Sequence, residues 1–122
     1  MWSLGVIIFI LLSGCSPFIA EDTVKMYALI TEGKYEFHDK YWGAISDDAK
    51  ELVSRLLTVN PDERISAADA LQSKWIQSDG LEANDLRNSL TELKKLNVRR
   101  KFKGAAYAVI ATNRMENLLA TT

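Results

Sequence analysis

The sequence carries one cysteine and one histidine in 122 residues, and has no Lys or Arg before Lys25. Nowhere does it alternate apolar and polar residues for more than a few positions. Each shortage removes a class of protein. The lone Cys15 can form no intramolecular disulfide, which suits a reducing compartment. His38 lies in a polar loop with no Cys or paired acid near it, and reads as a surface residue rather than a ligand or base. There is no Ser/His/Asp set, no clustered metal ligands and no phosphate-cradling glycine loop, so no self-contained catalytic constellation is visible. Without strand-type alternation, repeats or low-complexity tracts, the chain reads as all-α.

The missing early charge bears on the opening run, MWSLGVIIFILLSGCSPF. Residues 4–12 are apolar apart from Gly5, and Leu12-Ser13-Gly14-Cys15 has the look of a lipoprotein cleavage site. An exported lipoprotein with a signal peptide over 1–14 is therefore a minor alternative. A signal, however, wants a basic region ahead of its apolar core. A bilayer span wants about 20 apolar residues, and shorter runs such as this one are more often buried core helices.

What is present is a globular composition, 48% apolar and 25% charged, with its charge divided unevenly. Residues 1–93 carry 8 Lys/Arg against 15 Asp/Glu, and residues 94–122 carry 7 against 1. The chain is an acidic body with a basic tail. Within the body, apolar periodicity and end signals predict four helices. The first, over 2–13, is apolar nearly all round, as expected of a helix buried on every side. The second runs from Thr23 to Glu32, with Val24, Tyr27, Ala28 and Ile30 to one side and Gly33 as its stop. Between it and the third lies a loop over 34–44 bearing Tyr35, Phe37, Tyr41 and Trp42.

The third helix has Ser46 as N-cap, Asp47 and Asp48 complementing the dipole, and Ala49, Leu52, Val53, Leu56 and Leu57 at helical spacing. It ends before Asn60-Pro61. The fourth starts at Ser66, where Ser66-x-x-Asp69 has capping-box spacing, and carries on toward Trp75.

These residues resemble the protein kinase family. The central helix of the kinase C-lobe, conventionally helix F, has the pattern Asp-x-Trp-Ser-x-Gly-Val, an apolar helix, then Gly and Pro-Phe. Met1-Trp2-Ser3-Leu4-Gly5-Val6, Ser13-Gly14 and Pro17-Phe18 match it in order and spacing. The run from Asn60 through Arg64 to Leu71 looks like the segment in which an Arg precedes the last helix. Trp75-Ile76 resembles its aromatic end, although Ser73-Lys74 stands where His-Pro is usual. The resemblance covers residues 1–77 as helices F to I of a partial kinase domain. It implies structural roles for Trp2, Gly5, Arg64 and Trp75, and for Trp42 a role in docking substrate or an inhibitory segment. An aromatic packed under a loop is the other reading of Trp42. In the family Arg64 pairs with a Glu that this chain lacks. Lys34-Tyr35-Glu36-Phe37 and Tyr41-Trp42-x-x-Ile45-Ser46 look most like the calcium/calmodulin-dependent group.

The tail strengthens that likeness. Lys94, Lys95, Arg99, Arg100, Lys101 and Lys103 fall within ten residues that hold no acid. Phe102, Ala106, Val109 and Ile110 follow at the spacing of anchors for a helix in a groove. From spacing alone, a solvated face, a nuclear-import signal, a nucleic-acid patch and a membrane-surface helix stay open. The stretch from Leu93 to Ala106 resembles the regulatory segment of type II calcium/calmodulin-dependent kinases, which implies calcium-loaded calmodulin as partner, with no nucleic acid and no membrane. Gly104 costs a helix about 1 kcal/mol relative to Ala, which suggests that the segment orders fully only when bound.

Upstream of the basic run, Leu86, Leu90 and Leu93 predict a helix over the linker 78–93, the autoinhibitory position of the family. Ser89 falls where type II enzymes carry an autophosphorylated Thr and is a candidate phosphosite, although the family's Arg position is occupied by Leu86. The later inhibitory Thr positions read as Ala108 and Val109.

A kinase also needs a Gly-rich loop, a strand Lys, a catalytic Asp with its Asn, and the Asp of Asp-Phe-Gly. None occurs in this sequence, so no catalytic, cofactor-binding or metal-binding residue is assigned. ATP and Mg²⁺ belong to an intact parent enzyme. The expectation is a cytoplasmic kinase fragment: C-lobe support over 1–77, an autoinhibitory linker over 78–93, a calmodulin-binding segment over 94–116 and a tail over 117–122. In the parent it would serve phosphorylation of protein substrates. The alternative is a stand-alone, non-catalytic calmodulin-binding or decoy module. An unpaired Arg64 and an uncovered first helix predict marginal stability for the chain alone.

Overall fold

The structure, a computed structural model, describes residues 1–78 and 87–120. Seven helices and no strand are found among the described residues: α1 Trp2–Ser13, α2 Thr23–Glu32, α3 Asp39–Trp42, α4 Asp47–Leu56, α5 Ala67–Leu71, α6 Lys74–Gln77 and α7 Arg87–Ala120. None is long and apolar enough to cross a membrane.

Local chemistry explains most of the boundaries. Ser46 Oγ accepts a hydrogen bond from the Ala49 amide (3.3 Å), and Asp47, Asp48 and Arg55 place charge of favourable sign at the two ends of α4. Asp22 caps α2 by accepting from the Lys25 amide at 2.7 Å. Ser66 caps α5, and its hydroxyl also donates to Asp69 Oδ2 at 2.7 Å. Both α1 and α2 end at glycines in the left-handed region, Gly14 (φ 78) and Gly33 (φ 65).

The amphipathic α4 supplies much of the core. Its Leu52, Val53 and Leu56 are buried, together with Leu57 just beyond its end, each contributing on the order of 1.5–3 kcal/mol by leaving water. The helix lies against α1, and Gly5 permits the approach, because a Cβ there would stand 2.8 Å from Leu56 Cβ. The 34–44 loop folds over the other side of Phe9. Phe9 stacks on Phe37 (5.7 Å), meets Tyr35 edge-on (5.9 Å) and lies 4.7 Å from the Trp42 ring. Such ring pairs add about 0.5–1.5 kcal/mol each beyond the area they bury. Trp75 packs against both halves of the core.

Three expectations need correction. The first helix is not buried on every side: Leu4, Ile7 and Leu11 form an exposed stripe, with Ile7 54% and Leu11 57% accessible. Among the described residues α1 packs on α3, α4 and α7, and these leave that stripe uncovered. The fourth helix is two, because Ser73 takes an extended conformation (ψ 143) and a new turn begins at Lys74 without a side-chain cap from the Ser73 hydroxyl. The aromatic loop contains a helical turn of its own, α3. The basic tail is helical, as expected, and belongs to one continuous helix of 34 residues through Gly104, where an added Cβ would meet nothing within 4 Å. Its neighbours Lys101, Lys103, Ala105 and Ala106 are strong helix formers, and together they outweigh one glycine. Of the expected linker, residues 79–86, including Leu86, lie outside the described residues, as do 121–122 of the expected tail.

Candidate functional site

The C-terminal end of α1 is built to be approached. Ser13, fully buried, donates its hydroxyl to the Phe9 carbonyl at 2.7 Å and accepts from the Cys15 amide at 3.2 Å. These two bonds fix the turn that follows α1. Gly14, left-handed and without a side chain, leaves a hollow in that turn, and the first turns of α7 fill it. A Cβ on Gly14 would fall 2.4 Å from Glu92 Cβ and 2.8 Å from the Ser89 carbonyl oxygen. Beside this contact the Ser89 hydroxyl donates to the Leu12 carbonyl, one of the α1 carbonyls that no helical amide satisfies.

Next along α7, Lys95 Nζ donates to Glu92 Oε1 at 2.7 Å. The hydrogen bond from Lys95, aided by its charge and that of Lys40, holds the Glu92 carboxyl below the usual carboxylate range. The same bond and the carboxylate's charge raise the Lys95 ammonium above its ordinary value. Lys40 and Tyr41, brought there by α3, line the adjoining cleft with Ser13, Ser89 and Glu92.

Past Leu96 the helix is largely exposed, with Arg99, Arg100 and Lys103 still lining a cavity beside the 15–19 segment. Arg99, Arg100, Lys101 and Lys103 are exposed, as are Lys94 and Ala106. Phe102 is 77% accessible, and Val109 and Ile110 are also open to solvent. Lys103 Nζ lies 5.7 Å from the centre of the Tyr107 ring. Phe102, Ala106, Val109 and Ile110 thus stand on a helix with no cover from the body.

The remaining expected residues are placed as follows. Ser89 is only 6% accessible, so as a phosphosite it is closed while α7 is docked. Trp42 is 1% accessible within the Phe9 cluster and offers no surface to a substrate; its place is the packed aromatic under a loop. Trp2 stacks on Phe18 at 5.8 Å. Arg64, expected to stand bare, donates from Nε to the Thr58 carbonyl (2.8 Å) and from a terminal nitrogen to the Val59 carbonyl (2.9 Å). Its guanidinium also lies 5.4 Å from the centre of the Trp2 ring. It therefore closes the C-terminal end of α4 with no carboxylate partner among the described residues. His38 is on the surface, 3.6 Å from the Glu36 carboxylate.

Sequence reasoning missed Gly14, Glu92, Lys40 and Tyr41 as parts of one interface. A glycine ending an apolar helix signals a cap. Nothing local signals that a helix some 75 residues away will sit on it, a separation close to the 77 of the Ser89–Leu12 bond.

Comparisons with known proteins bear on the whole arrangement. The protein kinase domain family matches residues 1–76. A rice calcium and calcium/calmodulin-dependent serine/threonine-protein kinase is 42% identical over 99% of this chain, and the chain covers 25% of it. The type II delta subunit of calcium/calmodulin-dependent protein kinase from rabbit, Oryctolagus cuniculus, is 40% identical over 93% of the chain, which covers 22% of it. Among solved structures, the twitchin kinase region of C. elegans superposes with a TM-score of 0.73 at 29% identity, over 84% of this chain and 18% of that one. The chain thus spans about a quarter of the length of the curated relatives it matches.

Proposed function

The chain belongs to the protein kinase family, with relatives named as calcium/calmodulin-dependent serine/threonine kinases, and on that footing we propose that it is the supporting and regulatory part of such an enzyme. The body, 1–77, carries the later C-lobe helices and holds the regulatory helix. The first turns of α7 act as the autoinhibitory element, and 94–116 is the target of calcium-loaded calmodulin. ATP and Mg²⁺ are held by residues outside this chain, since neither the glycine loop nor the metal-holding Asp occurs in it. ATP-dependent phosphorylation of protein substrates is the activity of the parent polypeptide.

The observation that carries the proposal is the division of α7. Its residues 89–95 lie against α1 and Gly14, while Phe102, Ala106, Val109 and Ile110 are exposed on the same helix, and Arg99, Arg100 and Lys103 are exposed along the edge of a cavity. Calmodulin offers Met-rich apolar grooves once calcium opens it. A helix presenting Phe102, Ala106, Val109 and Ile110 beside Arg99, Arg100 and Lys103 matches that surface in both shape and charge.

The test is titration of the full chain with calmodulin. Binding should require calcium and should weaken at least about tenfold in Phe102→Ala, as expected of a buried aromatic anchor. Binding that survives a chelator, or that ignores Phe102→Ala, would refute the assignment.

A further inference from the structure

Two adjoining cavities share the wall made by Cys15, Ser16, Ile19 and Tyr41. The inner one, about 490 Å³, continues over Phe9, Pro17, Leu29 and Tyr35, with Lys34, Glu36 and His38 at its far rim. The outer one, about 470 Å³, is closed on its other side by α7, through Leu96, Arg99, Arg100 and Lys103. Each volume lies within the range of small-molecule sites. Glu92 is the acid on the outer wall, and its charge is taken up by Lys95 at 2.7 Å. Arg99, Arg100 and Lys103 have no such partner on that wall.

From the apolar floor and cationic rim of the outer cavity we propose that the groove between α7 and the 15–19 segment binds a monomeric single-chain anionic lipid. The alkyl chain lies on Ile19, Tyr41 and Leu96, and the anionic head meets Arg99 and Arg100 at the mouth. Complementarity of both kinds favours this occupant. A free phosphate would leave the apolar floor unused, and an uncharged hydrocarbon would leave the guanidinium groups unanswered. The ligand touches the body and α7 together, so it stabilises the docked helix. If α7 is also the calmodulin target, as proposed above, lipid and calmodulin compete for Arg99, Arg100 and Lys103.

The test is calorimetric titration of the full chain with monomeric myristate. Myristyl alcohol, inorganic phosphate and phosphatidylserine vesicles are titrated in parallel. One saturable site for myristate is expected. It should be weakened at least about tenfold in Arg99→Gln/Arg100→Gln, since hydrogen bonds to charged groups are being removed, and weakened likewise by Ile19→Asp. Both variants alter exposed positions, so folding is spared. The uncovered Leu4, Ile7 and Leu11 stripe could also take up amphiphile, but that uptake would not respond to Arg99 or Arg100. Unchanged affinity in the double variant, equal binding of the alcohol, or binding to vesicles alone would overturn the proposal. Myristate binding is read without calmodulin, so its loss and the loss of calmodulin binding are separate results.

Discussion

Replacing Gly14 by alanine should separate α7 from the body while leaving the body folded. Two costs arise. An L-residue at φ 78 bears left-handed strain of roughly 1–2 kcal/mol, and this falls on α1 and its turn. The new methyl also collides with Glu92 Cβ at 2.4 Å and with the Ser89 carbonyl at 2.8 Å, and this second cost disappears if α7 lifts away. Overpacking of this sort costs typically about 1–3 kcal/mol. At 1.4 kcal/mol per factor of ten, the undocked population should rise roughly 5- to 150-fold. The sequence provides its own reporter, because Cys15 is the only thiol and lies in the groove that α7 closes. Its rate of reaction with a disulfide reagent should rise by up to that factor, the ceiling being set by the partial access Cys15 already has while α7 is docked. The matched control is Gly33→Ala. It carries similar strain at φ 65, but its Cβ would meet the movable end of Val59, Cγ2 at 2.4 Å, and not α7. A second probe of the same contact, Ser89→Val, removes the bond to the Leu12 carbonyl and should raise the rate in the same direction. Unchanged reactivity in Gly14→Ala, or an equal rise in Gly33→Ala, would refute the reasoning.

Two further perturbations test other parts of the structure. The Glu92 carboxyl titrates below the ordinary carboxylate range, so its contribution is present above the unfolded value of about 4.3 and is lost as pH falls through the lower folded value. Lys95 is shifted upward, so its contribution is complete below about 10.4 and is lost as pH rises through the higher folded value. Carboxyl resonances followed by NMR should show Glu92 titrating below the ordinary glutamate value of about 4.3, and Lys95→Gln should bring it back toward that value. In the core, the Trp42 indole nitrogen is buried without a hydrogen-bond partner. Trp42→Phe should therefore cost little in denaturant melts, whereas Trp42→Ala should cost about 3–5 kcal/mol; similar losses for the two would contradict the packing described for Phe9 and Phe37.

Much of the body was legible because its signals are local. The caps at Ser46 and Ser66, the stop at Gly33, and the spacing from Ala49 to Leu57 each act within one turn of the residue that carries them. Family motifs then ordered these helices along the chain. The break at Ser73 escaped because both sides favour helix, and only a single extended residue divides them. An uncovered apolar face on α1 was expected for the chain alone, but which residues form it, Leu4, Ile7 and Leu11, was not legible, because an apolar residue does not say whether anything will cover it. Trp42 and Ser89 illustrate the same limit: sequence showed their chemistry, while their burial depends on elements distant in the chain. The basic run pointed correctly to a helix, but its continuity from Arg87 to Ala120 reflects summed propensity rather than any one motif.

That continuity has a mechanical side. At about 1.5 Å per residue, the 34 residues of α7 form a rod roughly 50 Å long. The rod is clamped near one end, at Gly14, and Phe102 lies on the order of 15–20 Å beyond the clamp. A ligand that grips the free portion and turns it by a modest angle applies torque about the clamp, prying Ser89 from Leu12 without entering the groove. The stiffness of the rod then matters as much as the chemistry at its tip, and Gly104, beyond Phe102, is where it would bend most readily.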